Sequence, residues 1–281
     1  MAMASEVVPT GLSLIAVFTW GTSDFLGGYA ARRANAFLLT SIAHASGLVL
    51  MLVLASATHA QFPSDRSIWW SVVGGTSGGG ALAVFYGALA KGRMGLTAPV
   101  AAVLGAAIPT IFAMATQGMP GAIHVAGFVI AAVGIWLISR AEDGSGPEGI
   151  GLAAISGIGF AGFYLGISQA KDGSALWLAV FSRVGSLIVT GTIVLMQRRF
   201  RQITREGILW GMVAGCLDVS GTAVFVRATQ WGRLDSAVVL TSLYPAVTVL
   251  LARLVLHEHF TRWKAVGMFA ALVAVPLIAS G

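Results

Sequence analysis

Ten stretches of apolar residues follow one another along the chain, separated by short polar breaks. They cover roughly 10–30, 37–57, 68–90, 95–115, 121–139, 150–170, 174–196, 207–229, 235–256 and 265–280. A hydrocarbon core about 30 Å thick needs about 20 apolar residues in helical form. Each stretch therefore predicts one spanning α-helix. The longest polar connections, 140–149 and 197–206, leave no room for a soluble domain. The expected fold is an all-α integral membrane protein with ten transmembrane helices.

Composition agrees with that pattern. Of 281 residues, 57% are hydrophobic and 10% charged, with mean hydropathy +0.85. A soluble domain carries about 25% charged residues, so too little polar surface exists to cover a water-soluble globule. The 36 glycines fit helices whose backbones approach closely in lipid. The single cysteine, Cys216, excludes an intrachain disulfide or a cysteine metal site. The segment before the first apolar stretch holds Glu6 but no Lys or Arg, which argues against a cleaved signal peptide.

Displacing the chain by 140 residues superimposes it on itself. Ala83-Val84-Phe85 falls on Ala223-Val224-Phe225, Ala88 on Ala228, and Gly92-Arg93 on Gly232-Arg233. The same offset relates Gly11 to Gly151, Trp70 to Trp210, Gly75 to Gly215 and Gly127 to Gly267. The expected organisation is a duplication, with repeats at 1–140 and 141–281. Five spans is an odd number, so the second copy enters the membrane upside down. A 5+5 inverted repeat is a common transporter architecture.

The formal net charge of +6 lies in short clusters between spans, so it reads as a topology signal and predicts no nucleic-acid partner. Odd-numbered loops carry eleven Lys and Arg residues, among them Arg32, Arg33, Lys91, Arg93 and Arg140. Even-numbered loops carry three: Arg66, Lys171 and Arg233. This count places the odd loops in the cytoplasm and both termini outside.

Ionisable side chains deep in lipid are costly and usually face a bundle interior or wet cavity. Asp24 in the first span and Asp218 in the eighth are such groups, as are His44 and Arg183. They mark a polar substrate path, or else a lock between helices such as Asp218 with Arg183, and Arg183 favours the structural role. Trp20 and Asp24, four apart, share a helix face. Their equivalents in the second repeat are Phe160 and Tyr164, and Tyr86 and Tyr244 lie in the third and ninth spans. These rings would suit aromatic or cationic ligands. Pro99, Pro109 and Pro245 interrupt the corresponding fourth and ninth spans and are candidate gating kinks. Glu258, between His257 and His259, reads as a cap or a partner of Arg262 and not as a metal ligand, because adjacent side chains on a helix point apart.

Two further motifs carry no chemistry. Gly157-x-Gly159-x-x-Gly162 resembles a dinucleotide fingerprint, but no strand precedes it. Gly75-Thr76-Ser77-Gly78 resembles an intramembrane protease motif, yet no later span offers a deep histidine as base. The first lies within a lipid-length apolar run, and close helix packing through Gly74/Gly78 and Gly75/Gly79 better explains the second.

The run Thr241-Ser242-Leu243-Tyr244-Pro245-Ala246-Val247-Thr248, followed by Glu258, Thr261 and Gly267, resembles the repeat signature of the drug/metabolite transporter superfamily, in its EamA-type members. Trp20-Gly21-Thr22-Ser23 is similar to the start of that family's first helix, and Ser182-Arg183 to its second-helix arginine. The resemblance covers the whole chain in order and is nearest to bacterial exporters of aromatic and neutral amino acids. It implies a non-enzymatic, multi-pass transporter of the inner or plasma membrane. Such a carrier works by alternating access on small molecules, without a cofactor and with one chain sufficing for a pathway. Ser23 joins the cavity-lining candidates through this motif. The first repeat departs from the signature, with Gly118 opposite Glu258, Pro109 a turn after the position matching Pro245, and His44 near the expected arginine. The resemblance also implies cytoplasmic termini, against the loop charges. The competing classes are a membrane-embedded enzyme acting on lipid or isoprenoid, a nucleotide-sugar or other metabolite carrier of the same fold, and a channel.

Overall fold

The computed structural model describes residues 2–91, 94–138, 149–198, 203–257 and 261–280. Every regular element among them is an α-helix. The first half of the chain holds α1 (Ala2–Ala31), α2 (Ala36–Ala57), α3 (Asp65–Lys91), α4 (Met94–Gln117) and α5 (Ala122–Ile138). The second holds α6 (Ile150–Gln169), α7 (Ala175–Gln197), α8 (Arg205–Trp231), α9 (Leu234–Thr241), α10 (Tyr244–Leu256) and α11 (Arg262–Ser280). Among the described residues, seven segments are long and apolar enough to cross a membrane, and 122–137 is a shorter apolar helix. Large apolar side chains, among them Phe18, Leu195, Phe269 and Leu272, stand exposed. Water-soluble monomers rarely show so much apolar surface. The chain is a multi-pass membrane protein.

The helices start where polar side chains can take up free backbone amides. Asn35 accepts from the Leu38 amide at 3.1 Å, Ser174 from Trp177 at 3.3 Å, and Thr204 from Gly207 at 3.1 Å. One expectation needs correction: the ninth stretch is two helices, because the helix turns out at Ser242–Leu243 and restarts with Pro245 in the first turn of α10. Proline has no amide to donate, so it fits a helix start better than an interior. The break leaves few orphans. The Ser242 amide donates to Val238 O at 2.9 Å, the Leu243 amide to Leu240 O at 3.1 Å, and the Ser242 hydroxyl to Val239 O at 2.7 Å. By contrast, Pro99 and Pro109 both lie within the single helix α4.

Packing relates the two regions. α1 packs along α8 and α6 along α3; α2 lies against α7, and α5 against α11. The 140-residue offset exchanges the first two pairs and maps each of the others onto itself. Glycines set the crossings. Gly75 of α3 abuts the Ser182 carbonyl of α7, and its equivalent Gly215 of α8 abuts the Ala43 carbonyl of α2. Gly74 and Gly166 press α3 onto α6, where the Ser77 hydroxyl donates to Gly159 O at 2.8 Å. The Gly75–Gly78 stretch thus lies in helix contacts as expected, and Gly157, Gly159 and Gly162 also abut α4 or α3.

The two ends of the bundle differ. At one end α1, α3 and α7 finish while α6 and α8 begin, so equivalent helices run in opposite directions. Together they surround a vestibule of about 1210 Å³, whose rim carries Arg32, Arg33 and Lys91. The opposite end is held by polar ties. Asp172 accepts from the Ser64 amide and hydroxyl, both at 2.7 Å, and Gln230 donates to Gly173 O at 3.0 Å. Arg233 forms an ion pair with the buried Asp235 at 2.7 Å and donates to Gly118 O at 2.8 Å, holding the end of α4 against the start of α9.

The amide and hydroxyl of Ser64 hold the Asp172 carboxyl below its ordinary range. Hydrogen bonds to the charged form have this effect. A group whose pKa is lower in the folded state contributes stability above its unfolded pKa and loses it as pH falls. Thermal midpoints in detergent are thus expected to be flat from pH 7 to 5 in this respect, with the tie lost below the ordinary value of 3.8. Asp172→Asn should remove that acid-dependent part when wild type and variant are compared by thermal scan.

Candidate functional site

Between the vestibule and the tied end, six helices converge on a cavity of about 50 Å³. One water occupies roughly 10–15 Å³ on this measure, so the space holds only a few waters. Most of the wall comes as residues four apart on a helix. α1 supplies Trp20 and Asp24, α3 Gly78 and Leu82, and α6 Phe160 and Tyr164. α7 supplies Ser182 and Ser186 with Arg183 between them, α8 supplies Asp218 and Thr222, and α6 adds Phe163. Tyr244 enters from the first turn of α10. In a helix, positions i and i+4 stand one above the other, so each pair presents two side chains to the same space.

Arg183 organises the polar wall. Its Nη1 lies 2.7 Å from Asp218 Oδ2 and 3.0 Å from His44 Nδ1, and its Nη2 donates to Thr222 Oγ1 at 2.5 Å. Guanidinium has no acceptor, so His44 Nδ1 accepts and its ring carries the proton on Nε2. Arg183, Asp218 and His44 are all more than nine-tenths buried. A buried pair supplied with further hydrogen bonds survives desolvation better than a bare one.

Asp24 differs. It is 6% exposed, faces the cavity, and makes no hydrogen bond or ion pair among the described residues. The charged neighbour it feels is Asp218. Aromatic rings flank it. Trp20, whose indole donates to Asp218 O at 3.0 Å, lies 6.4 Å from Phe163, 6.1 Å from Tyr164 and 5.5 Å from Phe225. The Ser182 hydroxyl, the Tyr244 hydroxyl and Arg183 Nε are buried and have no hydrogen-bond partner among the described residues. The cavity thus offers an unpaired carboxylate, an aromatic wall and three open polar atoms.

Three cavity-lining candidates are not in the wall. Ser23 is turned to α8, donating to Ala214 O at 2.8 Å, because its position on α1 faces that helix. His44 stands behind Arg183 as its acceptor. Tyr86 lies across Gly27, where a Cβ would overlap its ring, and its hydroxyl is 3.2 Å from Ser23 Oγ. Gly27 falls between Asp24 and Ala31 of the vestibule rim, positions about 10 Å apart along α1 at 1.5 Å per residue. The Tyr86 ring therefore stands beside α1 between the level of Asp24 and the vestibule rim, with its hydroxyl next to Ser23. Glu258 lies outside the described residues. Pro245 begins α10, and Pro99 and Pro109 lie in α4 away from the cavity wall.

Sequence reasoning missed Gly78, Leu82, Phe163, Ser182, Ser186 and Thr222. Five of these are the i−4 or i+4 neighbours of other wall residues, and Ser182 also directly precedes Arg183. The same-face step that joined Trp20 to Asp24 would have found Thr222 from Asp218.

Comparison with known proteins gives one family. Residues 147–280 match the EamA-like transporter family, so the chain carries a domain of the drug/metabolite transporter type in its second half. None of the curated proteins matches the chain in sequence. A solved crystal structure is similar over 96% of this chain and 95% of its own, with TM-score 0.75 and 16% sequence identity. At that identity the likeness concerns the fold alone.

Proposed function

We propose that the chain is a secondary transporter, working without direct use of ATP, that exports small amphipathic metabolites. Amino acids and aromatic or cationic compounds are its substrate class, and the cavity around Asp24 is the binding site. The frame is ten spans in two inverted five-helix repeats, 1–140 and 141–281. The EamA-like domain, the exchange of helix pairs under one offset, and the opposite directions of equivalent helices support this frame.

The observation that carries the reading is Asp24. A carboxylate held in lipid without a partner costs several kcal/mol, and it sits where aromatic side chains and open polar atoms converge. Packing alone gives no reason to keep it.

In this conformation the vestibule opens on the basic face, which the loop charges assign to the cytoplasm. Tyr86 on the vestibule side and the ties of Asp172 and Arg233 at the other end stand on the two ways to the cavity. A metabolite needs more than about 50 Å³, so the loaded state is wider. α4 with its two prolines packs against both α9 and α10. Tyr244 stands directly beside the α9–α10 break, so bending there would move a wall residue. We assign gating to these elements.

Purified protein in proteoliposomes should catalyse saturable flux of a neutral amino acid, an aromatic amino acid or an aromatic amine, measured with and without a pH gradient. Absence of flux for all three would contradict the transporter reading.

A further inference from the structure

The charges around the cavity do not balance. Asp24 and Asp218 are two potential anions and Arg183 is one cation, while His44 is held as a neutral acceptor. The pair takes up Asp218. One carboxylate remains in excess, and it is the one without a hydrogen bond.

The titratable groups facing Asp24 come from every neighbouring wall: Asp218 on α8, Arg183 on α7 beyond it, Tyr86 on α3, Tyr164 on α6 and Tyr244 on α10. Asp235 of α9 lies at the tied end in its pair with Arg233. None of these supplies a second positive charge.

Building on the transporter reading, we infer that the cavity selects organic monocations carrying an ammonium group next to an aromatic body, and that the ammonium and a proton are alternative occupants of the Asp24 carboxylate.

The walls suit such a ligand. An ammonium has three donors, and the Asp24 oxygens and the open Tyr244 hydroxyl can accept two of them. Trp20, Phe163 and Tyr164 offer ring surface, which attracts cations most when water is excluded. A zwitterion fits less well, since its carboxylate would need Arg183. Both terminal nitrogens of that guanidinium are already engaged by Asp218, His44 and Thr222, leaving only Nε open. An anion would add a second uncompensated negative charge. Neutrality therefore orders the ligands as cation, then zwitterion, then anion.

Three indole compounds of similar size separate these cases: tryptamine, tryptophan and indole-3-acetate. Binding of each to the full chain in lipid nanodiscs would be measured by displacement of radiolabelled tryptamine at pH 6 and pH 8. The expected order is tryptamine tighter than tryptophan by about tenfold or more, the worth of one modest charge contact, with no displacement by indole-3-acetate. Tryptamine should bind more tightly at pH 8 than at pH 6, by up to about tenfold per unit where one proton competes with one ligand. Asp24→Asn should erase both the preference for tryptamine over tryptophan and the pH dependence.

Equal or tighter binding of tryptophan, pH-independent binding of tryptamine, or no binding of tryptamine would each overturn the inference. Should Asp24→Asn fail to fold, the charge order and pH dependence of the wild type still decide it. A wild type that moves tryptophan in proteoliposomes but ignores tryptamine keeps the transporter reading and refutes this one. Failure of all flux removes both.

Discussion

Arg183→Met is expected to lower stability more than other single substitutions in the polar wall. Asp218 Oδ2 loses its ion partner at 2.7 Å, and two acceptors lose their donor, His44 Nδ1 at 3.0 Å and Thr222 Oγ1 at 2.5 Å. Removing one partner of a buried ion pair typically costs about 3–5 kcal/mol, because the remaining charge keeps its desolvation cost and loses its attraction. Asp218 can relieve part of that cost by taking a proton, so about 3 kcal/mol is the figure to expect. Replacing the pair together, as Arg183→Met with Asp218→Leu, should recover most of the loss, since well-packed apolar pairs often equal or exceed buried ion pairs. Thermal unfolding of the four proteins in one detergent measures the coupling. An unchanged midpoint for Arg183→Met would show that the pair holds nothing together.

A comparable loss is expected at the helix crossings. A Cβ on Gly75 would overlap the Ser182 carbonyl, and one on Gly215 would overlap the Ala43 carbonyl. Both obstacles are backbone, which cannot swing aside as a long side chain can. Overpacking of this kind costs about 1–3 kcal/mol and sometimes more, and here it pries α3 from α7 or α8 from α2. Gly75→Ala and Gly215→Ala should each reduce the yield of folded protein sharply, by similar amounts. Gly191 and Gly151 have nothing within 4 Å of the added atom. Alanine there should be neutral or gain up to about 1 kcal/mol from helix propensity. Monodispersity on gel filtration and the thermal midpoint distinguish the two classes.

The helices were legible because lipid imposes length: a run of about twenty apolar residues leaves the backbone no alternative to helix. The break between α9 and α10 was less so. Pro245 signalled a kink, but Pro99 and Pro109 give the same signal and stay within one helix. What separates them is the local set of acceptors at Val238, Val239 and Leu240, which takes up the amides and hydroxyl of a turn at 242–243. That geometry is not written in the proline itself.

The site was legible where a residue is expensive in its surroundings. Asp24, Arg183 and Asp218 stand out because charge in lipid needs a reason, and all three reach the cavity. Ser182, Ser186, Thr222 and Gly78 cost little in any helix, so composition does not mark them. Gly78 is informative only beside its equivalent: under the 140-residue offset it corresponds to Asp218, and both line the cavity. Likewise Asp24 corresponds to Tyr164, and Arg183 to Ala43. The two regions share a frame but contribute different chemistry to one space. Ser23 looked like a wall residue through its motif and Tyr86 through its ring; their hydroxyls meet each other, and Ser23 donates to α8.

The account stands on one space that opens in turn to either side of the membrane. Ser182→Cys in a Cys216→Ser background puts a thiol in the cavity wall at a hydroxyl that makes no hydrogen bond of its own. Membrane-impermeant thiol reagents applied separately to each side of sealed, oriented vesicles should label it from both, and transported ligand should slow both reactions. Labelling from the vestibule side alone, or from neither side, would contradict an exchanging cavity.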